Sequence, residues 1–222
     1  MRWGVVLFPG SNCAEDCYYV IDRVLHQPVR YVWHRETDLK ELDAVILPGG
    51  FSYGDYLRPG AIARLSPVVG ALQDFSDRGG FILGICNGFQ VLTEVGLLPG
   101  SLLRNTGLKF ICDWVELEVV NNQTAFTHRF KRGQKLRLPI AHNEGRYTLP
   151  PAELEQLRLH RQVIFTYLDN PNGSVGAVAG VLNEQGNVLG MMPHPERGAE
   201  SLLGSQDGLD LFLSLSEAVV RA

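Results

Sequence analysis

FILGICNGFQ, residues 81–90, carries most of the architectural information in this 222-residue chain. Phe81 to Ile85 is a short, fully apolar run with the length of a buried strand. Phe89, Val91, Leu92 and Val95 have the spacing of a short helix that ends at Gly96. Cys86 stands at the junction, with Gly84 two residues before it and Gly88 two after. A strand that turns at once into a helix leaves its middle residue in a strained conformation with the side chain presented. Glycines at both flanking positions remove the Cβ atoms that would collide across such a turn. The following helix directs free N–H groups and its positive dipole end toward the sulfur, which favours thiolate. Gly-x-Cys-x-Gly here predicts a nucleophile elbow.

Strand-like runs continue on both sides. Arg2–Phe8, stopped by Pro9-Gly10, Val29–Trp33, and Ala44–Leu47, closed by Pro48-Gly49-Gly50, read as strands. Asn12 followed by Glu15 has the polarity of a helix start, with the helix over Asp16–Leu25. Ile62–Arg78 reads as helical, interrupted or restarted near Pro67. Alternation of helices with nearly all-apolar strands predicts an α/β fold: a mostly parallel central sheet with helices on both faces. From Trp114 the texture changes. Trp114–Val120 and Leu136–Ile140 look like strands without full helices between them, which predicts a smaller antiparallel edge or subsheet. Val163–Leu168, Gly176–Leu182 and Val188–Met192 are the late strands, the last two joined by the hairpin-like Asn183–Asn187 turn. Asp207–Arg221 closes the chain as an amphipathic helix. With no repeat or linker, residues 1–222 are expected to form a single domain.

The formal charge of −4 is spread without a basic stripe, so nucleic-acid binding is not expected. No apolar run approaches bilayer-spanning length, and the N-terminus lacks a signal-peptide pattern, which predicts a cytoplasmic protein. Four cysteines, Cys13, Cys17, Cys86 and Cys112, are too few for a disulfide framework. Cys13 and Cys17 have no second Cys or His pair at zinc spacing and are expected to be reduced and structural, with no metal.

A thiol with a pKa of ~8.5 needs a neighbouring base. His26, His34, His128 and His160 lie in polar, loop-like or helix-end surroundings and are expected at the surface. His194 follows the last strand, in Met192-Pro193-His194-Pro195-Glu196. The flanking prolines hold that backbone extended, so residues two apart share a side, ~6.6 Å along the chain. Glu196 can then orient one ring nitrogen of His194 while the other faces the thiol. His142, in the His-x-Glu string of Pro139–Tyr147, is the competing base.

GICNGFQ at 84–90, PHPE at 193–196 and Pro48-Gly49-Gly50 together resemble the triad-type, class I glutamine amidotransferases along essentially the whole chain. The resemblance implies that Cys86 attacks the amide carbon of glutamine, with His194 as base and then acid and Glu196 as its orienter. It also implies an oxyanion hole from the Gly50 and Asn87 backbone amides, and a hold on substrate from Gln90. GGFSYGDYLRPG (49–60), PIAHNEGRY (139–147) and VLGMMPHPER (188–197) narrow the resemblance to the glutaminase subunits of phosphoribosylformylglycinamidine synthase. Asn143 departs from that pattern, which usually has Gly, and Asn is the residue next most tolerant of a left-handed backbone. The chain has no Gly-x-x-x-x-Gly-Lys-Ser/Thr phosphate loop. The resemblance implies that ATP and Mg bind instead on a large synthase subunit, assisted by a small dimeric one. Tyr53, Asp55, Arg58 and the His142–Tyr147 loop are candidates for a docking or coupling face. Competing readings are a glutaminase serving another synthase, a cysteine hydrolase of the same architecture, and a non-enzymatic binding module.

Overall fold

The computed structural model describes residues 1–220, and strands form in it where the apolar runs fall. They are β1 (Trp3–Leu7), β2 (Val29–Trp33), β3 (Ala44–Leu47), β4 (Phe81–Ile85), β5 (Ser101–Leu103), β6 (Ile111–Val119), β7 (Lys135–His142), β8 (Arg146–Thr148), β9 (Val163–Tyr167), β10 (Val178–Leu182) and β11 (Val188–Met191). The helices are α1 (Ala14–Tyr19), α2 (Pro67–Asp77), α3 (Asn87–Glu94), α4 (Pro151–Leu159) and α5 (Leu209–Val220). Nine strands make one sheet in the order β2-β1-β3-β4-β11-β10-β9-β6-β7, and β5 pairs with β8 apart from it. Pairing is parallel from β2 through β11. It is antiparallel from β11 through β7.

Every residue of β3, β10 and β11 is buried, as is almost all of β1 and β4. Successive strand residues point to opposite faces, so burial of both sets means that both faces are covered. The strand order reverses between β1 and β3. In an open parallel sheet the crevice at the carboxyl ends of such strands is where ligands bind. The segments leaving β1, β3, β4 and β11 carry Cys13, Gly50, Cys86 and His194.

The long antiparallel β6–β7 pair forms the expected antiparallel edge of the main sheet, and a separate small antiparallel sheet is β5–β8, too short to show as an apolar pattern. Other expectations need correction. A full helix, α4, follows β8, hidden in the sequence behind Pro150-Pro151; Pro151 opens it, where a missing N–H costs nothing. Helix α1 begins at Ala14 behind Cys13, without a side-chain cap, so Asn12 does not cap it. The chain then widens into a π-helical turn over Val20–Val24. Asn143 is not among the residues with positive φ, so its position makes no demand for a left-handed backbone. The final helix runs as expected to Val220, and the expected last residue, Arg221, lies outside the described residues.

Candidate active site

Cys86 has φ 50° and ψ −104°, in the sparsely populated region that an elbow imposes. Its N–H donates to Met191 O at 2.8 Å, which ties the turn to the end of β11. A Cβ on Gly84 would lie 2.9 Å from the Gly88 backbone, and one on Gly88 would lie 2.0 Å from Leu47 O. The two glycines therefore let α3 start flush against β3 and β4. The sulfur sits 3.7 Å from Ala141 O at the end of β7.

His194 and Glu196 are brought to the elbow by the chain leaving β11. The His194 backbone N–H donates to Pro139 O at 2.9 Å, and its Nδ1 donates to Glu196 Oε1 at 2.6 Å. Both side chains are almost completely buried. Burial opposes a charge on the ring, yet the Glu196 carboxylate and the Cys86 sulfur outweigh it and raise the His194 pKa well above the ordinary value. With Nδ1 held by Glu196, the remaining nitrogen, Nε2, has no partner among the described residues. It is the atom left to exchange a proton with the thiol.

Cys13, expected only to pack, is part of this assembly. Its sulfur accepts from Arg197 Nη2 at 3.2 Å and lies, with ligand atoms of His194 and Glu196, in a group whose members are all within 4.8 Å. Arg197 also pairs with Asp16 at 3.0 Å, tying the His194–Glu196 turn to α1. The signal available in the sequence was topological: Cys13 follows β1, and loops after parallel strands converge on one crevice.

His142 is held differently. The Asn105 side-chain N–H donates to Lys109 O and His142 O, so its Oδ1 is the acceptor for both Gly145 N–H and the His142 Nδ1 proton at 3.2 Å. Nε2 of His142 is therefore a lone-pair acceptor, and it too lacks a partner among the described residues. Burial first, and then the nearby His194 charge, push its pKa down to about 4. The competing His142–Glu144 couple does not form, because Glu144 pairs with Arg104 at 3.3 Å. Of the other histidines, His26 and His160 are exposed as expected. His34 is buried, contrary to expectation, with Nδ1 2.7 Å from the Tyr53 hydroxyl. His128 is partly buried against Glu217.

A cavity of about 210 Å³ opens on Cys86 and is lined also by Gly50, Asp55, Gln90, His142 and Glu144. Larger hollows elsewhere, such as one of about 580 Å³ beside Arg132, Arg158 and Arg161, have no cysteine in their lining. Gly50 has φ +124°, and neither its N–H nor that of Asn87 donates to a protein acceptor among the described residues. Both amides are thus available at the elbow. The Asn87 side chain ties the start of α3 to the loop after β3: it accepts from the Ser52 hydroxyl and donates to Asp55 at 3.1 Å and, within α3, to Gln90 Oε1 at 3.0 Å. Gln90 in turn donates to Glu144 O at 2.6 Å. Of the docking candidates, Tyr53 is turned inward onto His34 and Ser66. Arg58 is clamped by two bonds of 2.7 Å to Glu94, and Asp55 faces the cavity. The exposed large apolar groups of that loop are Phe51, Tyr56 and Leu57.

A cysteine on a strand-to-helix elbow, backed by a buried histidine and glutamate at the carboxyl ends of a mostly parallel sheet, has the form of a triad-type glutamine amidotransferase. The family model of the CobB/CobQ-like glutamine amidotransferase domain matches residues 1–207. The chain is 55% identical to phosphoribosylformylglycinamidine synthase subunit PurQ of Moorella thermoacetica, over 97% of this chain and 95% of that one. It is 56% identical to PurQ of Synechococcus elongatus, over 99% of each chain. A solved structure described as PurLQS from Thermotoga maritima contains a chain 46% identical, with a TM-score of 0.92, covering 98% of both. The chain belongs to the glutamine amidotransferase family and, within it, to the PurQ subunits of phosphoribosylformylglycinamidine synthase.

Proposed function

We propose that this chain hydrolyses glutamine to glutamate and ammonia, and that Cys86, His194 and Glu196 carry the chemistry. It is the glutaminase subunit of an ATP-dependent phosphoribosylformylglycinamidine synthase in purine biosynthesis. The observation that carries the residue assignment is the strained Cys86 elbow opening on a cavity, with His194 buried and oriented by Glu196. The Cys86 thiolate attacks the side-chain amide carbon, and the excess charge passes to the carbonyl oxygen. The Gly50 and Asn87 N–H groups receive that oxyanion. His194 then gives its proton to the departing nitrogen as the C–N bond breaks, leaving ammonia and a γ-glutamyl thioester. The same ring takes a proton from water, which attacks the thioester and releases glutamate and the thiol.

Ammonia passes to the large synthase subunit of a complex with a small dimeric subunit, in keeping with the Thermotoga structure described as PurLQS. ATP and Mg belong on the synthase. Among the described residues no helix is long and apolar enough to cross a membrane. The four unpaired cysteines and the purine-pathway role support a cytoplasmic setting. The test is labelling of the assembled enzyme with a glutamine analogue that carries an electrophile. Cys86 should be modified alone among the four cysteines, and Cys86→Ser should lose glutamine-dependent synthesis while keeping synthesis from free ammonia. Labelling of Cys13 instead would remove Cys86 from the nucleophile role.

A further inference from the structure

The cavity at Cys86 carries a chemical bias that the triad does not use. Its wall away from the elbow is made of acceptors. Asp55 contributes a carboxylate that receives one N–H, from Asn87 at 3.1 Å, out of about four it can accept. Glu144 lies close enough for its charge to act on Asp55, and it lines the same cavity. His142 adds a buried, unpartnered Nε2 which, with Nδ1 committed to Asn105, can only accept. No compensating cation is supplied from the Asp55 loop, since Arg58 is engaged by Glu94. A ligand that fits this wall brings N–H donors and a positive charge.

We propose that Asp55 selects glutamine over other primary amides by accepting hydrogen bonds from the substrate's α-ammonium group. This rests on the glutaminase reading of the site. With the amide carbon at Cys86, the opposite end of the glutamine molecule must lie along the cavity, and its only cation is the α-ammonium. Binding there gives Asp55 a counter-charge against the nearby Glu144, which is itself paired with Arg104. It also fills acceptor positions on Asp55, which, unlike the Arg104-paired Glu144, has no ion-pair partner among the described residues. Such positions are costly to leave unmade in a partly buried site. The Asn87 side chain orients both Asp55 and Gln90, so recognition of the α-carbon end is coupled to the first residue of α3 beside the nucleophile.

A pH signature follows. Burial and the Glu144 charge push the Asp55 pKa up to about 6. The other titratable groups lining the cavity are Glu144, His142 and Cys86. Below that pKa, Asp55 is neutral and holds the ammonium weakly; as pH rises through it, the carboxylate forms and glutamine binds more tightly.

The experiment compares glutamine with 4-carbamoylbutanoate, which is glutamine without its α-amino group, in the assembled synthase. Wild-type kcat/KM for glutamine should rise between pH 5 and pH 7 with a limb near about 6, and the deaminated analogue should lack that limb. Asp55→Asn should reduce the preference for glutamine by roughly 10²-fold, mainly through KM, the scale expected when a site built around a substrate N–H loses its acceptor. A preference unchanged in Asp55→Asn, or both substrates falling alike, would overturn the assignment. If that variant fails to fold, identical wild-type pH profiles for the two substrates would overturn it equally. Hydrolysis of neither substrate by the wild-type complex would sink the glutaminase reading itself and this proposal with it.

Discussion

His194 and His142 both sit within the active-site shell, and their hydrogen bonds separate their roles. Nδ1 of His194 faces a carboxylate at 2.6 Å, which supports the imidazolium that proton transfer creates. Nδ1 of His142 faces a neutral amide oxygen at 3.2 Å, and its pKa is pushed down to about 4, so it stays uncharged near neutrality. His194→Ala should therefore lose roughly 10²–10⁴-fold in turnover of the assembled enzyme. Glu196→Gln should lose less, because the ring keeps its place while the charge supporting the imidazolium is removed. His142→Gln should keep most of the turnover number. Severe loss at His142 with near-normal His194→Ala would reverse the assignment.

The strand-turn-helix element around Cys86 depends on close backbone approach more than on any side-chain interaction. A Cβ at position 88 would lie 2.0 Å from the carbonyl oxygen of Leu47, a backbone atom that cannot swing aside. Gly88→Ala must displace α3 from β3, an overpacking cost of about 1–3 kcal/mol or more. In a chain of this size that lowers Tm by roughly 2–4 °C per kcal/mol. It should also depress turnover, since Asn87 and Cys86 move with the helix start. Gly70, inside α2, faces open space: a Cβ there would meet nothing within 4 Å. Gly70→Ala should stabilise by about 0.5–1 kcal/mol, as helix propensity predicts. Thermal melts of the two variants test the contrast, and equal destabilisation would remove the packing argument.

Across the whole molecule, the proposed oxyanion donor at Gly50 and the exposed side chains at Phe51, Tyr56 and Leu57 belong to one loop. Tyr53, Gly54, Asp55 and Leu57 all have positive φ, so the loop is held in a high-energy backbone conformation beside the site. Docking of the synthase on those apolar groups offers a direct way to set the Gly50 peptide. One oxyanion donor commonly contributes ~2.7–4 kcal/mol, so turning it away would slow turnover by roughly 10²–10³-fold. Glutaminase turnover should accordingly be far higher in the complex holding its nucleotide and amide substrate than in the isolated chain. Equal turnover in both would exclude activation by docking. A rise that survives Tyr56→Ala together with Leu57→Ala would keep activation but assign it to another surface.

Much of this was legible in the chain itself. The elbow, its two glycines and the proline-flanked His194-x-Glu196 string are local features. Strand-to-helix turning and extended backbone are dictated by residues only a few positions apart, and the parallel half of the sheet follows from apolar runs buried on both faces. Features set by distant neighbours were not legible. Cys13 lies against His194 only because β1 and β11 deliver their exits to one crevice. His142 is an acceptor only because Asn105, 37 residues away, holds its other nitrogen. His34 is buried by Tyr53 reaching across from a separate loop, and Asp55 turns into the cavity through left-handed backbone that no periodicity announces. Sequence alone determined the Cys86 elbow, the extended His194-x-Glu196 string and the parallel core, because short-range sterics and burial specify them. Only the tertiary structure decided which acceptors and charges surround them, because those depend on which strand ends the sheet order brings together.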